Sequence, residues 1–249
     1  MSRVVSNVNH EGGQDQGKEM NVAIMQPYLF PWIGYFQLIC QSDIFVLYDD
    51  ACFIKQGYIN RNSILSQGQA QRFTLPVPGA SSNKRISELR FGDQVEKIVK
   101  TISQSYSRAP YFREVMPLVE AVLFHPERDI TACCQRAIES IFHYLDIERK
   151  IIRSTALEYD RCENAENKVI SMCKALKADT YVNSTGGRHL YRAEAFAAQG
   201  ITLRFLQANN TQYAQGNHDF VPYLSIIDVL MYCEPAQVKQ ALKNYHYVD

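Results

Sequence analysis

The sequence has no excess charge of either sign: 26 Lys and Arg residues balance 26 Asp and Glu residues over 249 positions. A chain-wide basic field for nucleic acid is therefore absent, although a local basic patch would still be compatible with these numbers. The apolar runs are all shorter than the roughly 20 residues that cross a bilayer, so we expect no membrane span. A hydrophobic content of 46% nevertheless allows a substantial core and excludes global disorder.

The seven cysteines lack the CxxC and paired-histidine spacings of a zinc site. Their odd number and mostly apolar surroundings indicate buried, reduced thiols rather than disulfides, which is typical of a cytoplasmic protein. We therefore expect a cytoplasmic location and no metal site. Nothing in the sequence identifies a cofactor, so the cofactor stays unknown.

The chain begins with a polar segment that lacks the hydrophobic core of a signal peptide. We interpret residues 1–20 as a disordered N-terminal extension, with Met20 as a second candidate start. The remainder is expected to be one α/β domain that is interrupted by helices. Residues 21–92 would form its first α/β part, 93–148 a helical insert, and 149–249 the second α/β part.

Short apolar runs at 22–25 and 44–48 predict buried strands, and residues 34–41 between them predict a helix. A strand–helix–strand unit implies parallel pairing with a right-handed crossover. After the insert, the alternation resumes with strands at 180–183 and 202–206. The predicted fold class is α/β, with a mostly parallel, Rossmann-like sheet that is flanked by helices and carries a helical insertion.

The segment MQPYLFPWIGYFQLI places a proline-rich, aromatic loop directly between the first strand and the first helix. In open α/β sheets, ligands lie beyond the carboxyl ends of the strands, near helix N-termini. Rigid aromatic rings with a polar tip suit stacking on a base or a sugar, which predicts substrate contacts from Gln26, Tyr28, Trp32 and Tyr35. A tightly packed aromatic corner is the alternative. Trp32 and Tyr35 stand where nucleotidylyltransferases have the histidines of a His-x-Gly-His element, so that phosphate chemistry cannot be carried over.

A polar cluster follows the second predicted strand and would lie at the same edge of the sheet. An arginine fork binds phosphate or carboxylate, and flanking amides can bind sugar hydroxyls. Asp50, or its neighbour Asp49, is a candidate base, and Lys55 is a candidate charge clamp. A solvated loop is the alternative interpretation. The predicted substrate-binding residues of this cluster are Lys55, Asn60, Arg61 and Asn62, with Tyr58 beside them.

The strand at 180–183 runs into a Ser-Thr-Gly-Gly turn at the entry of a helix, where free backbone N–H groups can bind an anion. The turn is not a P-loop, because the lysine-containing pattern is absent. His189 is the second candidate base, although a capping role is the more frequent one for such a histidine. The predicted substrate-binding residues of this turn are Asn183, Ser184, Thr185, Gly186 and Gly187.

Two helix starts are also predicted from capping patterns. Asp129 precedes a helical pattern and is a candidate N-cap. Ser225 and Asp228 have the spacing of a capping box, with Asp in the usual position of Glu. We favour this interpretation over a catalytic triad with His218, because no nucleophile elbow accompanies the three residues.

Five blocks of the sequence stand out in order: QPYLFPWIGYFQLI, DIFVLYDD with KQGYINRNSI, LPV, ADTYVNSTGG with LY, and PYLSIIDVL. Together they resemble the WbqC-like family over about residues 21–235, and the first block and the NRN block are the most specific. The resemblance implies a bacterial protein of a kind often encoded among polysaccharide or O-antigen genes. It also implies modification of an activated amino sugar by acyl or aminoacyl transfer to the sugar amine, without a catalytic role for any individual residue.

These observations favour a transferase that acts on a nucleotide-linked amino sugar in surface polysaccharide biosynthesis, with an acyl or aminoacyl donor as second partner. A sugar ammonium group must lose a proton before it attacks an acyl carbon, so the reaction requires a base, for which Asp50 and His189 are the candidates. The alternative is a non-catalytic sugar-nucleotide-binding or accessory scaffold protein, which the lack of a compact nucleophile set favours. RNA association is a third and weaker interpretation, because the neutral overall charge counts against it.

Overall fold

The computed structural model describes residues 19–209, 211–217 and 219–248. Most of the predicted N-terminal extension lies outside these residues, as does His218. The strands are β1 (Asn21–Met25), β2 (Ile44–Leu47), β3 (Arg61–Ser66), β4 (Gln69–Thr74), β5 (Lys150–Arg153), β6 (Thr180–Ser184), β7 (Thr202–Ala208) and β8 (Tyr245–Val248). The helices are α1 (Ile33–Cys40), α2 (Glu96–Tyr106), α3 (Phe112–Leu123), α4 (Ile130–Tyr144), α5 (Ala165–Ala175), α6 (Ala193–Ala197), α7 (Ile226–Tyr232) and α8 (Pro235–Ala241).

Six strands form one sheet in the order β5-β2-β1-β6-β7-β8. Its first five strands are parallel, and β8 pairs antiparallel with β7 at one edge. Alternate residues of a strand point to opposite faces of the sheet. On one face, Ala23 and Phe45 pack with α1, α2, α3 and α4. On the other face, Val22 and Val46 pack with α5 and α6. The prediction of a mostly parallel α/β sheet flanked by helices is therefore confirmed.

The order of the sheet strands reverses between β1 and β6. Counted along the chain, the sheet strands have the Rossmann order 3-2-1-4-5-6. The registers place Met25, Leu47 and Arg153 at the same level, so the loops after β1, β2 and β5 leave from one edge, as does the loop after β6. We call this the carboxyl edge. In open α/β sheets, the crevice at such a reversal is the usual place for a ligand.

A separate hairpin and three helices lie between β2 and β5 in the chain. Strands β3 and β4 pair antiparallel, and Gln67 and Gly68 join them in a two-residue turn with positive φ angles of 50° and 76°. Helices α2, α3 and α4 follow the hairpin and pack in the larger core with α1 and α7. None of the helices in the described part of the chain is long and apolar enough to cross a membrane.

The predicted N-cap of α4 is confirmed, because Oδ1 of Asp129 accepts a hydrogen bond from the backbone N–H of Ala132 at 2.7 Å. Ser225 is likewise the N-cap of α7, and its Oγ accepts from the N–H of Ile227 at 3.3 Å. The capping box predicted for Ser225 and Asp228 is only half formed, because Asp228 makes other contacts.

The Asp228 side chain is buried instead of reaching back to the N-cap. Its Oδ1 accepts from the hydroxyl of Tyr106 at 2.8 Å, and its Oδ2 accepts from the hydroxyl of Tyr213 at 2.5 Å and from Nε2 of Gln215 at 2.7 Å. Burial raises the pKa of Asp228 above its ordinary value, even though these three donors act in the opposite direction. The carboxylate thus fastens the loop before α7 to α2.

Candidate functional site

An aromatic cavity of about 210 Å³ lies where the loop after β1 meets the hairpin and the start of α7. None of the described residues that line it carries a formal charge, and the lining is mostly apolar. Tyr58 and Tyr223 are 61% and 68% exposed and form the mouth, whereas Asn62 is 5% exposed and lies at the deep end. The lining residues are Tyr28, Pro31, Trp32, Tyr58, Asn62 and Tyr223.

The carbonyl oxygen of Phe30 holds the three parts of the cavity together. It accepts hydrogen bonds from Nδ2 of Asn62 and from Oγ of Ser225, both at 2.7 Å. The N–H of Ile226 donates to the adjacent carbonyl of Pro31 at 2.8 Å. Because the first loop, β3 and α7 are joined at one point, the cavity is preformed rather than assembled by its ligand.

Two of the non-glycine residues with a positive φ lie at or next to this cavity. Phe30 has a φ of 45° and Tyr223 a φ of 59°, both in the left-handed region that favours glycine. Such conformations cost about 1–3 kcal/mol each and persist only where the surrounding structure enforces them. Phe30 is bound through its carbonyl and Tyr223 precedes the N-cap of α7, so the strain is maintained where two loops meet at the candidate site.

Trp32 covers the first turn of α1 and shapes one wall of the cavity. Its indole lies over Gly34, where an added Cβ would be 2.5 Å from Cη2 and 2.7 Å from Cε2 of the ring. Only glycine permits this approach. Trp32 is the N-cap residue of α1 and makes no side-chain capping bond, so the positive end of the helix dipole lies beside the cavity without a side-chain cap.

The aromatic rings line the cavity in two pairs. The ring centroids of Tyr28 and Tyr58 are 6.2 Å apart, and those of Trp32 and Tyr223 are 5.5 Å apart with an edge-on orientation. Burial raises the pKa of Tyr28, and the neighbouring phenol of Tyr58 adds to this shift. The phenol of Tyr28 is therefore neutral at physiological pH and can donate a hydrogen bond.

A second polar cluster lies at the carboxyl edge, where the loops after β2 and β5 meet. The Asp50 side chain is 2% exposed; its Oδ2 accepts from the Tyr159 hydroxyl at 2.6 Å and from Nε of Arg161 at 2.9 Å. Its Oδ1 accepts from Oγ of Ser154 at 2.5 Å. Burial alone would raise the pKa of Asp50, but these hydrogen bonds and the Arg161 charge lower it below its ordinary value. Asp50 is thus ionised, and both its oxygens have donors.

Asp49 and Arg161 complete this cluster. Asp49 is buried and accepts hydrogen bonds from the backbone N–H of Thr155 at 3.0 Å and from its hydroxyl at 2.9 Å. Nη2 of Arg161 donates to the carbonyls of Ser154 at 3.1 Å and Leu157 at 2.8 Å. These bonds hold the Arg161 guanidinium over the Tyr159 ring, 4.4 Å from its centroid. The side chain is 35% exposed, so a fixed cationic group faces solvent at this edge.

The turn after β6 is the third cluster, and it is a 3-10 helix over Thr185–Leu190. Oδ1 of Asn183 accepts from the N–H of Ser184 at 2.7 Å, and Oγ1 of Thr185 donates to Gln207 at 3.0 Å. An added Cβ at Gly187 would lie 2.7 Å from Nδ2 of Asn183, whereas one at Gly186 would meet Oγ of Ser184 at an ordinary contact distance of 3.9 Å. His189 is exposed, and its side chain makes no hydrogen bond or ion pair with the described residues.

The structure brings only part of the predicted residues together. Tyr28, Trp32 and Asn62 meet in the aromatic cavity. Tyr35 is buried behind it and donates through its hydroxyl to the carbonyl of Gln26 at 2.8 Å, as the aromatic-corner interpretation expects. Lys55 is exposed.

Asn60 and Arg61 serve the hairpin region instead of the cavity. Nδ2 of Asn60 donates to the carbonyl of Leu75 at 2.7 Å, and Nε of Arg61 donates to the carbonyl of Gly57 at 2.9 Å. Since successive side chains of a strand point to opposite faces, Arg61 and Asn62 leave β3 on opposite faces.

Several residues of these sites were not predicted from the sequence. Ser154, Tyr159 and Arg161 follow β5, so the rule that located the other clusters at strand ends would have found this loop too. Tyr223 had no such signal, because it precedes a helix and reaches the cavity only through the folding of a distant segment.

The arrangement defines an α/β protein with a Rossmann-like sheet and an aromatic cavity beside the loop after β1. The chain belongs to the WbqC-like protein family, whose model matches residues 26–240. All residues that line the cavity lie within that match. The uncharacterized protein Rv1507c of Mycobacterium tuberculosis is 27% identical over 214 residues, which cover 84% of this chain and 92% of that protein. No solved structure gave a significant match.

Proposed function

We propose that this protein binds a nucleotide-linked amino sugar in its aromatic cavity and transfers an acyl or aminoacyl group to the sugar amine, in surface polysaccharide biosynthesis. The observation that carries the proposal is the preformed, uncharged aromatic cavity beside the uncapped end of α1. Aromatic rings stack on a base or a sugar, while the helix end favours an adjacent anion such as the diphosphate. The association of the WbqC-like family with polysaccharide genes supports the pathway.

The transfer itself needs a nucleophile and a base. The neutral sugar amine attacks the carbonyl carbon of the donor, a C–N bond forms, and the bond to the leaving group, such as the C–S bond of a thioester, breaks. The proton of the amine passes to a base of the protein. Between the two candidates, the free and exposed His189 suits this role better than Asp50, whose oxygens already accept three hydrogen bonds. Asp50 suits the task of fixing Arg161, a candidate anion contact.

Ligand binding tests the first half of the proposal. Purified protein is titrated with UDP-, GDP-, CMP- and dTDP-linked amino sugars, with the midpoint of thermal unfolding as the readout. We expect a rise for one nucleotide class that Tyr223→Ala and Tyr58→Ala reduce. Phe124→Ala is the matched control, because Phe124 is a 52% exposed aromatic residue that does not line the cavity. No shift with any nucleotide sugar, or an equal loss in the control, would contradict the proposal.

Turnover tests the second half and separates it from the alternative of a binding or scaffold protein. That alternative is favoured by the three hydrogen bonds that already engage Asp50, which make it a poor member of a compact catalytic set. The nucleotide class that binds is incubated with acyl and aminoacyl donors, and the acylated sugar is detected by mass spectrometry. His189→Asn should abolish product while the binding shift persists. If a nucleotide sugar binds but no donor yields a product, the alternative of a non-catalytic binding protein is supported instead.

A further inference from the structure

We infer that the side-chain amide of Asn62 pairs with the donor–acceptor edge of a nucleobase, so that the base, rather than the sugar, occupies the aromatic cavity. This inference rests on the proposed function and specifies which part of the nucleotide sugar the cavity receives. It is carried by the hydrogen bonds of Asn62, by its depth, and by the uncharged rings around it.

A primary amide offers two N–H donors and two lone pairs on its oxygen. In Asn62, one N–H is taken by the carbonyl of Phe30 at 2.7 Å, and one lone pair by the backbone N–H of Ser63 at 2.8 Å. One donor and one acceptor therefore remain. The two existing bonds also fix which end of the amide carries the oxygen, so the side chain cannot turn over to suit its ligand.

The remaining donor and acceptor have one accessible direction. Asn62 is 5% exposed and lines the cavity, so a partner must come through the cavity. Leaving such buried groups unpaired is costly, which selects a ligand with a complementary donor and acceptor. The Tyr28–Tyr58 and Trp32–Tyr223 pairs surround that space with aromatic surface and favour a flat ring over a puckered sugar.

Two parts of a nucleotide sugar offer a neighbouring donor and acceptor: the hydrogen-bonding edge of the base and an acylamino group on the sugar. Only the base combines this edge with a flat aromatic ring. Among the residues that the structure describes, no charged side chain lines the cavity, which agrees with a neutral heterocycle. The phosphates would then lie outside, towards the uncapped N-terminus of α1.

The test uses ligands altered at one atom, so that the protein stays intact. The affinities of UMP, CMP, GMP and AMP are measured by titration calorimetry, and the tightest one is compared with its counterpart methylated on a ring or exocyclic nitrogen of the pairing edge. We expect methylation to weaken binding at least about tenfold, the effect of one buried polar group left unpaired. Two sugar nucleotides that carry the preferred base, one with glucose and one with N-acetylglucosamine, should bind with the same affinity. For uridine these are UDP-glucose and UDP-N-acetylglucosamine.

Equal binding of the methylated and unmethylated nucleotide would overturn the inference and leave the proposed function standing. A strong preference for the N-acetylated sugar, with no contribution from the base, would assign Asn62 to the acylamino group and overturn it as well. Failure of every nucleotide to bind would overturn both. The Asn62→Asp variant should also bind the nucleotide at least tenfold more weakly than the unmodified protein. Asn83→Asp, in an exposed loop, is its control. If Asn62→Asp does not fold, the comparison with the methylated nucleotide alone tests the inference.

Discussion

Nε of Arg161 lies 2.9 Å from Oδ2 of Asp50 and joins the loop after β5 to the loop after β2. The carboxylate is almost fully buried and the arginine side chain is partly exposed, so the ion pair extends from the interior to the solvent at the carboxyl edge. Ser154 and Tyr159 complete the hydrogen bonds of Asp50. The pair is therefore a structural tie as well as a candidate anion contact.

Asp50→Asn should reduce the free energy of unfolding by about 1–3 kcal/mol, because hydrogen bonds to a buried charged group are lost and Arg161 is released. Urea denaturation followed by far-UV circular dichroism measures the change. Asp93→Asn is the control, since the Asp93 side chain is 90% exposed in its ion pair with Arg128 and should cost no more than about 1 kcal/mol. Equal effects of the two substitutions would show that the Asp50 pair stabilises nothing.

Gly34→Ala should weaken ligand binding while leaving the protein stable. The new methyl group would overlap the Trp32 indole and displace a wall of the cavity, which we expect to cost about two- to tenfold in affinity, the equivalent of one aromatic contact. In the first turn of α1 the substitution also improves helix propensity by up to about 1 kcal/mol. Calorimetric titration and urea denaturation separate the two effects.

Gly92→Ala is the matched control for Gly34→Ala, because a Cβ at Gly92 meets Pro76 only at an ordinary distance of 3.4 Å. The Gly92→Ala variant should bind the nucleotide with the same affinity as the unmodified protein. If Gly34→Ala bound the ligand normally, the position of the indole would be irrelevant to the site.

Gly187→Ala should lower the thermal unfolding midpoint, whereas Gly186→Ala should leave it almost unchanged. A methyl group at Gly187 would crowd Nδ2 of the buried Asn183, and overpacking of this kind costs about 1–3 kcal/mol. For a chain of this size, each kcal/mol corresponds to about 2–4 °C. Differential scanning calorimetry of the two neighbouring variants tests the packing of the turn, and similar midpoints would refute it.

Asp228→Asn should change how stability depends on pH. Burial raises the folded-state pKa of Asp228 above the ordinary value of about 3.9. Between that value and the raised pKa, the folded state holds more protons than the unfolded state, so the free energy of unfolding of the unmodified protein falls as pH rises. The variant lacks this contribution. Its stability relative to the unmodified protein should therefore increase from about pH 4 upwards and then level off.

Urea denaturation at a series of pH values gives this difference directly, with Asp93→Asn as a control for the loss of an exposed carboxylate. A relative stability of Asp228→Asn that is flat or decreasing above pH 4 would contradict the burial argument. Asp50→Asn should show the opposite trend: because the folded pKa of Asp50 is lowered, its contribution is present above about pH 3.9 and is lost as pH falls below that value.

The sheet could be predicted from the sequence because each of its parallel strands is a short apolar run between helical patterns. The hairpin could be predicted only in part: the run at 72–75, which two prolines follow, predicts a strand that overlaps β4, but β3 and its pairing with β4 were not predicted. Strand β4 is exposed except at Phe73, so its sequence has no sustained apolar alternation.

The candidate site was also predicted only in part, because the order of the strands follows from the sequence pattern, whereas strand register and helix packing do not. Residues that directly follow parallel strands could be assigned to the carboxyl edge from order alone. Which side chain of the Asn60–Arg61–Asn62 run enters the cavity depends on the register of β3, and the arrival of Tyr223 depends on the packing of α7. The predicted roles of His189 and the Ser184–Gly187 turn stay predictions.

Trp32 is the only tryptophan of the chain, and it stands in the wall of the cavity. The intrinsic tryptophan emission of this protein therefore comes from its candidate binding site and from nowhere else. A ligand that stacks on the indole will quench or shift that emission without any label, and the rates of its arrival and departure become visible in a stopped-flow instrument.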